Sequence, residues 1–175
     1  MRVNLSGVSL KGNEFKYLKK VLKTGILSIG KYTEKFEKMV ASFSGRKYGI
    51  SVSSGTAGLF LLLKNHELRK EDEVITSPFS FIASSNVILH AGGVPKFCDI
   101  EEDSLCMSAD LLEKMISTEY IKKNKKLVNK KTKKTLRGIL SVDIFGNICE
   151  YDKIEKLVRG NNLFLIEDSC EALGT

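Results

Sequence analysis

Apolar positions along the chain follow two rhythms. Up to about residue 47 they recur at spacings of three and four. Phe15, Leu18, Val21 and Leu22 form one stripe, with Gly25 placed as a stop. Phe36, Met39, Val40 and Phe43 form a second, with Thr33 as a candidate cap and Gly45 at its end. These patterns predict two helices. Further along, short β-branched apolar runs predict strands near Tyr48–Ser53, Glu73–Thr76, Pro95–Ile100, Leu136–Ile144 and Leu163–Glu167. Helical segments are predicted between them, near Thr56–Asn65, Ser84–Ala91, Ala109–Ile116 and Tyr151–Val158. Alternation of this kind predicts an α/β fold. The strand runs are almost uninterrupted in apolar character, as expected of a mostly parallel sheet flanked by helices on both faces.

Composition alters this picture at one place. The formal net charge is +7, but eight of the lysines lie in "KKNKKLVNKKTKK", Lys122 to Lys134. Outside that tract cationic and acidic residues nearly balance, so the charge marks a local insertion near residues 118–135. The tract lacks the aromatic residues and arginines that single-strand binding favours, so a solvated loop is expected and no nucleic-acid partner. Cys98, Cys106, Cys149 and Cys170 show no C-x-x-C or other metal-ligand spacing. No metal is therefore expected, and four free thiols suit a reducing cytoplasm. The opening "MRVNLSGVSLKG" has no apolar core, so no secretory leader is expected. The longest apolar run, "LFLLL" from Leu59, is too short to cross a bilayer. His66 and His90 stand apart from any metal-binding pattern.

Three stretches at predicted strand ends carry candidate chemistry. In "SVSSGTAGLFLLL" a strand gives way through Gly55 to a helix beginning at Thr56. Free N–H groups and the positive helix end then point at one spot and form a cradle for phosphate. Neither a Walker A loop nor a G-x-G-x-x-G fingerprint is present. An ordinary capped turn is the plainer alternative. In "TSPFSFIASSN" Phe79 and Phe81 lie two apart and would share a side of an extended segment, so that one could stack on a flat ligand. The alternative is a pair of core phenylalanines. In "LFLIEDSCEALGT" Asp168 ends a strand, where ligands of parallel sheets collect, and Asp143 of "LSVDIFGN" ends the preceding one. Here the alternative is an N-cap for a short helix over "SCEAL".

Taken together, S-G-T-A, "DEVITSPFSFIASSNVILHAGGVPKFCDI", "DIFGN" and "IEDSCEALGT" resemble the nucleotide-sugar aminotransferases of the DegT/StrS type. These enzymes have the aspartate-aminotransferase fold and use pyridoxal 5'-phosphate (PLP). The likeness runs from about Val3 to Thr175, with the motifs in family order. It implies the N-terminal part of the large PLP-binding domain, truncated, with helices over 1–47 and an α/β portion over 48–175. By the same resemblance, Gly55, Thr56 and Ala57 form the phosphate-binding turn and Phe81 stacks on the pyridine ring. Asp168 faces the ring nitrogen, keeping it protonated and the ring a strong electron sink. Glu171 takes the place of a polar side chain near the ring, most often glutamine or histidine in the family. Asp143 and Phe145 stand where many relatives have His-x-Tyr, so no role passes to Asp143.

The resemblance also implies a homodimer, an amino donor such as glutamate, and a nucleotide-linked keto-sugar substrate. The pathways implied are those of cell-surface polysaccharides or deoxyaminosugars. In the family the Schiff-base lysine lies beyond Thr175, so no catalytic residue is assigned within these residues and none of their lysines takes that role. Transamination by the 175 residues alone is therefore not expected. Two alternatives remain. One is a PLP-dependent sugar dehydratase, with histidine in place of that lysine; the other is a non-catalytic remnant or binding subunit.

Overall fold

The computed structural model describes residues 7–175, so the start of the resemblance at Val3 lies outside the described residues. The chain divides into two units, one ending at Ser51 and the other spanning Val52–Thr175. The first holds helices α1 (Glu14–Leu22) and α2 (Lys31–Phe43). Gly25 and Gly45 follow them at φ +68° and +62°, the left-handed stop that glycine adopts without strain. Thr33 lies inside α2 and not at its cap; the capping position is Gly30, which has no side chain to offer. The expected strand over Tyr48–Ser53 is absent, because no described strand runs beside it and a strand exists only through pairing. Its chain is held instead by Glu37, whose carboxylate accepts from both the N–H and the hydroxyl of Ser51 at 2.8 Å.

The second unit is the α/β portion. Its strands are β1 (Asp72–Thr76), β2 (Val94–Phe97), β3 (Tyr120–Lys123), β4 (Lys126–Asn129), β5 (Thr135–Val142) and β6 (Phe164–Asp168). Its helices are α3 (Gly55–Asn65), α4 (Ala83–His90), α5 (Ala109–Glu119) and α6 (Tyr151–Asn161). Strands β2, β1, β5 and β6 are parallel neighbours in that order. The early residues of β5 pair with β4 and its later ones with β6, so two strands share one edge of β5.

Side-chain alternation sends Val74, Leu140, Val142 and Ile166 to one face, where Leu59 and Leu63 of α3 and Val87 and Ile88 of α4 cover them. Ile75 and Ile139 go to the other face, against Leu112 and Ile116 of α5 and Ile154 and Val158 of α6. The register slips by one between Glu73↔Leu136 and Val74↔Gly138, leaving Arg137 as an extra residue on β5. That bulge turns Leu136 toward the same core as Ile139. Burial on both faces is the reason these strands read as continuous apolar runs.

The lysine tract is a β-hairpin and not the solvated loop its charge suggests. Strands β3 and β4 pair antiparallel across Asn124 and Lys125, which lie at φ +48° and +63°, as a two-residue hairpin turn requires. Inward-facing Tyr120, Leu127 and Asn129 are buried while most of the lysines stay exposed. The buried Glu73 carboxylate pins the hairpin to the sheet. Its Oε2 accepts from the Tyr120 hydroxyl at 2.7 Å and Asn129 Nδ2 at 3.1 Å, and its Oε1 from the Thr132 hydroxyl at 2.7 Å. Burial first, and then that hydrogen bond, pushes the Tyr120 phenol far above its ordinary pKa. Lysines along the β3 edge also discourage pairing with another chain.

Two outcomes are expected. Glu73→Ala leaves two buried donors, on Tyr120 and Asn129, without this acceptor and should lower unfolding stability by about 3 kcal/mol, measured by urea denaturation. Leu61, Leu62, Phe81, Ile82 and Leu89 are large apolar side chains exposed on the second unit. Surface of this kind favours association, so sedimentation should show dimers or larger species. A sharp monomeric boundary with cooperative thermal unfolding would count against this.

Candidate active site

Strands β1, β5 and β6 are parallel, so their carboxyl ends open on one edge of the sheet, and the segments following them meet there. Phe81, Asp168 and Glu171 line one small cavity of about 40 Å³ together with Ser80, Asp143 and Cys170. Helix α3 begins beside it: a Cβ on Gly55 would come within 2.8 Å of the Cys170 sulfur, so any larger residue there would have to displace the Cys170 side chain. The structure thus brings Gly55, Phe81, Asp168 and Glu171 to one place from three separate stretches of sequence.

Each candidate has a defined setting. Gly55 and Thr56 are exposed in the first turn of α3, where helix geometry leaves their N–H groups without carbonyl partners. Ala57 is different. Its N–H already donates to the Ser54 hydroxyl at 3.1 Å, the capping bond of this helix. Phe81 is 74% exposed and does not belong to the core. The segment before it bends, with the Phe79 N–H donating to Ser77 Oγ, so the two phenylalanines do not share an extended side. Phe79 is exposed too and meets Phe145 edge to face with ring centroids 5.9 Å apart. Phe81 also lines a larger groove of about 310 Å³ with Ser77, Ser80, Ser85 and Phe97.

Asp168 is the last residue of β6 and caps no helix, because Ser169–Leu173 forms turns. It is 7% exposed. Its Oδ2 accepts from the Ser84 hydroxyl at 2.7 Å, while its Oδ1 is buried and has no partner. Among the described residues the other buried side-chain oxygen in that condition is Thr76 Oγ1, at the end of β1. Glu171 accepts from the Phe145 N–H through Oε2 at 2.9 Å, tying the turn after β6 to the loop after β5.

Asp143 has a structural part. Its Oδ1 accepts from the Cys149 N–H at 3.0 Å and the Tyr151 hydroxyl at 2.9 Å, and its Oδ2 from Ser169 Oγ at 2.7 Å. Its own N–H donates to the Asp168 carbonyl at 3.0 Å, which joins the two strand ends. Cys106 and Cys149 lie close to this carboxylate, with one ligand atom from each of the three within 4.8 Å of the others. Sequence spacing conceals that grouping. Burial holds the Cys149 thiol protonated well above its usual range, and its sulfur bonds to the Val142 carbonyl at 3.4 Å.

Ser84, Ser54 and Cys170 carry no motif that marks them in the sequence. Ser84 shares the buried stripe of α4 with Val87 and Ile88. A serine on an apolar helical stripe is the signal that it has a buried partner.

Comparison with known proteins shows the family. The family model for the DegT/DnrJ/EryC1/StrS aminotransferase family matches residues 8–175. GDP-perosamine synthase of Vibrio cholerae is 37% identical over 168 residues, which cover 95% of this chain and 41% of that protein. Spore coat polysaccharide biosynthesis protein SpsC of Bacillus subtilis is 34% identical over 162 residues, 93% of this chain and 38% of that one. The solved structure of the E. coli GDP-4-keto-6-deoxy-D-mannose-3-dehydratase with bound hydrated PLP superposes with a TM-score of 0.81 at 26% identity. It covers 97% of this chain and 41% of that one. The chain spans about two-fifths of the length of these relatives. Among the described residues no helix is long and apolar enough to cross a membrane. With the family model matching from residue 8 to the last residue, the chain belongs to the DegT/DnrJ/EryC1/StrS aminotransferase family.

Proposed function

We propose that these residues form the cofactor-binding N-terminal part of a PLP-dependent aminotransferase acting on nucleotide-linked keto-sugars, with glutamate as amino donor, in the cytoplasm. The observation that carries the reading is the buried, unpartnered Oδ1 of Asp168 in a cavity that also holds Phe81 and Glu171. A buried carboxylate oxygen without a donor is costly, and a protonated pyridine nitrogen is the donor it lacks. Bound PLP would supply an electron sink for breaking the substrate Cα–H bond. This chain's part is to hold it: Asp168 toward the ring nitrogen, Phe81 against the ring face, and the Gly55 and Thr56 N–H groups at the phosphate. Ala57 contributes through its place in the turn, since its N–H is engaged by Ser54. Glu171 contributes by fixing the Phe145 loop beside the cavity. The dimer implied by the family would cover the exposed apolar residues of the second unit.

The dehydratase neighbour supports a second reading of the same cofactor site. The two differ at the position that is lysine in transaminases and histidine in dehydratases, which lies outside these residues.

Pyridoxamine 5'-phosphate (PMP) is the suitable probe, because it has no aldehyde to react with the many surface lysines. Calorimetry should show saturable binding, weakened at least tenfold by Asp168→Asn or Phe81→Ala; absence of binding to the unaltered chain would overturn the reading. Incubated with PLP, glutamate and a nucleotide-linked keto-sugar, the 175 residues alone should yield no aminated sugar by mass spectrometry. Detection of product would refute the assignment of catalysis to residues outside this span.

A third test uses Cys170. The neighbouring Asp168 carboxylate, then burial, pushes this exposed thiol up to about 11. The neighbouring carboxylate disfavours the thiolate, so iodoacetamide labelling of Cys170 should be slow at pH 8 and climb as pH approaches about 11. Asp168→Asn should bring that climb to lower pH, and PMP should slow labelling of the unaltered chain. An unchanged profile in Asp168→Asn would show that the carboxylate does not act on the thiol.

A further inference from the structure

The cofactor reading leaves open why Oδ1 of Asp168, and not Oδ2, is the free oxygen. The answer lies on α4. Ser84 is 1% exposed, and its hydroxyl donates to Asp168 Oδ2 at 2.7 Å. Ser80 Oγ lies 2.9 Å from Ser84 Oγ. A hydroxyl has one proton and a carboxylate oxygen only accepts. Once Ser84 gives its proton to Asp168, the Ser80–Ser84 bond needs Ser80 as donor. The chain then runs in one direction, Ser80 to Ser84 to Asp168, and each bond polarises the next. It also draws the Ser80 proton away from the Phe81 carbonyl, its alternative acceptor at 3.2 Å.

We propose that Ser84, backed by Ser80, is a positioning residue that fixes the Asp168 rotamer and so directs Oδ1 into the cavity. The proposal rests on the cofactor reading for its purpose but not for its geometry. Ser84 lies on the buried side of α4, and Asp168 ends a strand paired along its whole length with β5. The hydrogen bond therefore joins two fixed elements and holds the carboxylate between them, the arrangement that pre-organises a binding group. Without Ser84, Oδ2 loses its donor, and the side chain is free to rotate and share both oxygens between the cavity and the Cys170 side.

The experiment compares the unaltered chain with Ser84→Ala, Ser84→Thr and Asp168→Asn. Three-bond NMR couplings read the Asp168 rotamer, and calorimetry reads PMP binding. One Asp168 rotamer is expected in the unaltered chain and averaged couplings in Ser84→Ala. PMP affinity should fall roughly tenfold in Ser84→Ala, as for loss of one hydrogen bond to a charged group. Ser84→Thr, which keeps the hydroxyl, should return both readouts to within about threefold of the unaltered values. A single Asp168 rotamer persisting in Ser84→Ala would overturn the positioning role, whatever the cofactor does. Unchanged PMP affinity in Ser84→Ala, alongside loss in Asp168→Asn, would overturn it too while leaving the cofactor reading intact. If Asp168→Asn binds PMP as tightly as the unaltered chain, the cofactor reading fails, and the couplings alone judge Ser84. Should Ser84→Ala not fold, Ser80→Ala takes its place, with partial averaging and a loss of about threefold expected; no change in either readout would then overturn the relay.

Discussion

A strand with neighbours on its edges and helices on both faces has no water to fall back on, and β5 is such a strand. Its backbone groups pair with β1 on one side and with β4 and then β6 on the other. Its side chains feed two separate cores. Leaving any of those groups unpaired in an apolar interior costs about as much as a lost hydrogen bond. The surrounding elements are arranged by that demand. The lysine-rich hairpin supplies β4 where β6 does not reach, and the bulge at Arg137 reconciles the register of β1 with the two-faced burial of β5.

Polar chemistry is thereby driven to the two ends of the strands, and the ends differ. At the amino end Glu73 is closed off by Tyr120, Asn129 and Thr132, which satisfy both its oxygens. At the carboxyl end the turns after β1, β5 and β6 meet beside the first turn of α3. There an exposed aromatic ring and a half-satisfied carboxylate line one cavity, and the first turn of α3 begins next to Cys170 on its wall. Ligands of open parallel sheets collect at this end because backbone donors, the helix dipole and loop side chains converge there while the core stays dry.

How much of this the sequence discloses follows from the physics each residue obeys. Strands β1, β5 and β6 and their helices are legible, because burial on both faces writes itself as uninterrupted apolar runs. Tyr48–Ser53 carries the same local signal but is no strand, since pairing is a relation between segments that one segment cannot encode. The lysine tract misleads in the opposite direction. Its charge announces a solvated loop, whereas Tyr120, Leu127 and Asn129, spaced among the lysines, supply the buried side of a hairpin. The candidate residues Gly55, Phe81, Asp168 and Glu171 come from motif order, and the structure brings them together. Ser84 and the Cys106–Asp143–Cys149 grouping were hidden, because long-range hydrogen bonds and contacts leave no periodicity.

Four carboxylates are buried among the described residues, and comparing them separates framework from function. Asp72 faces the Arg137 guanidinium at 3.0 Å, so its charge is matched. Glu73 and Asp143 each have both oxygens accepting from protein donors. Glu73 and Asp143 are complete as folded, and a ligand could only compete with bonds already made. Asp168 alone among them has one oxygen secured and the other buried without a donor. Desolvation of that oxygen works against the fold, and Ser84 holds it in place instead of letting it turn away. On the function proposed above, the protonated ring nitrogen of the cofactor would be the donor that this acceptor, at the end of the sheet where ligands collect, does not find within the chain.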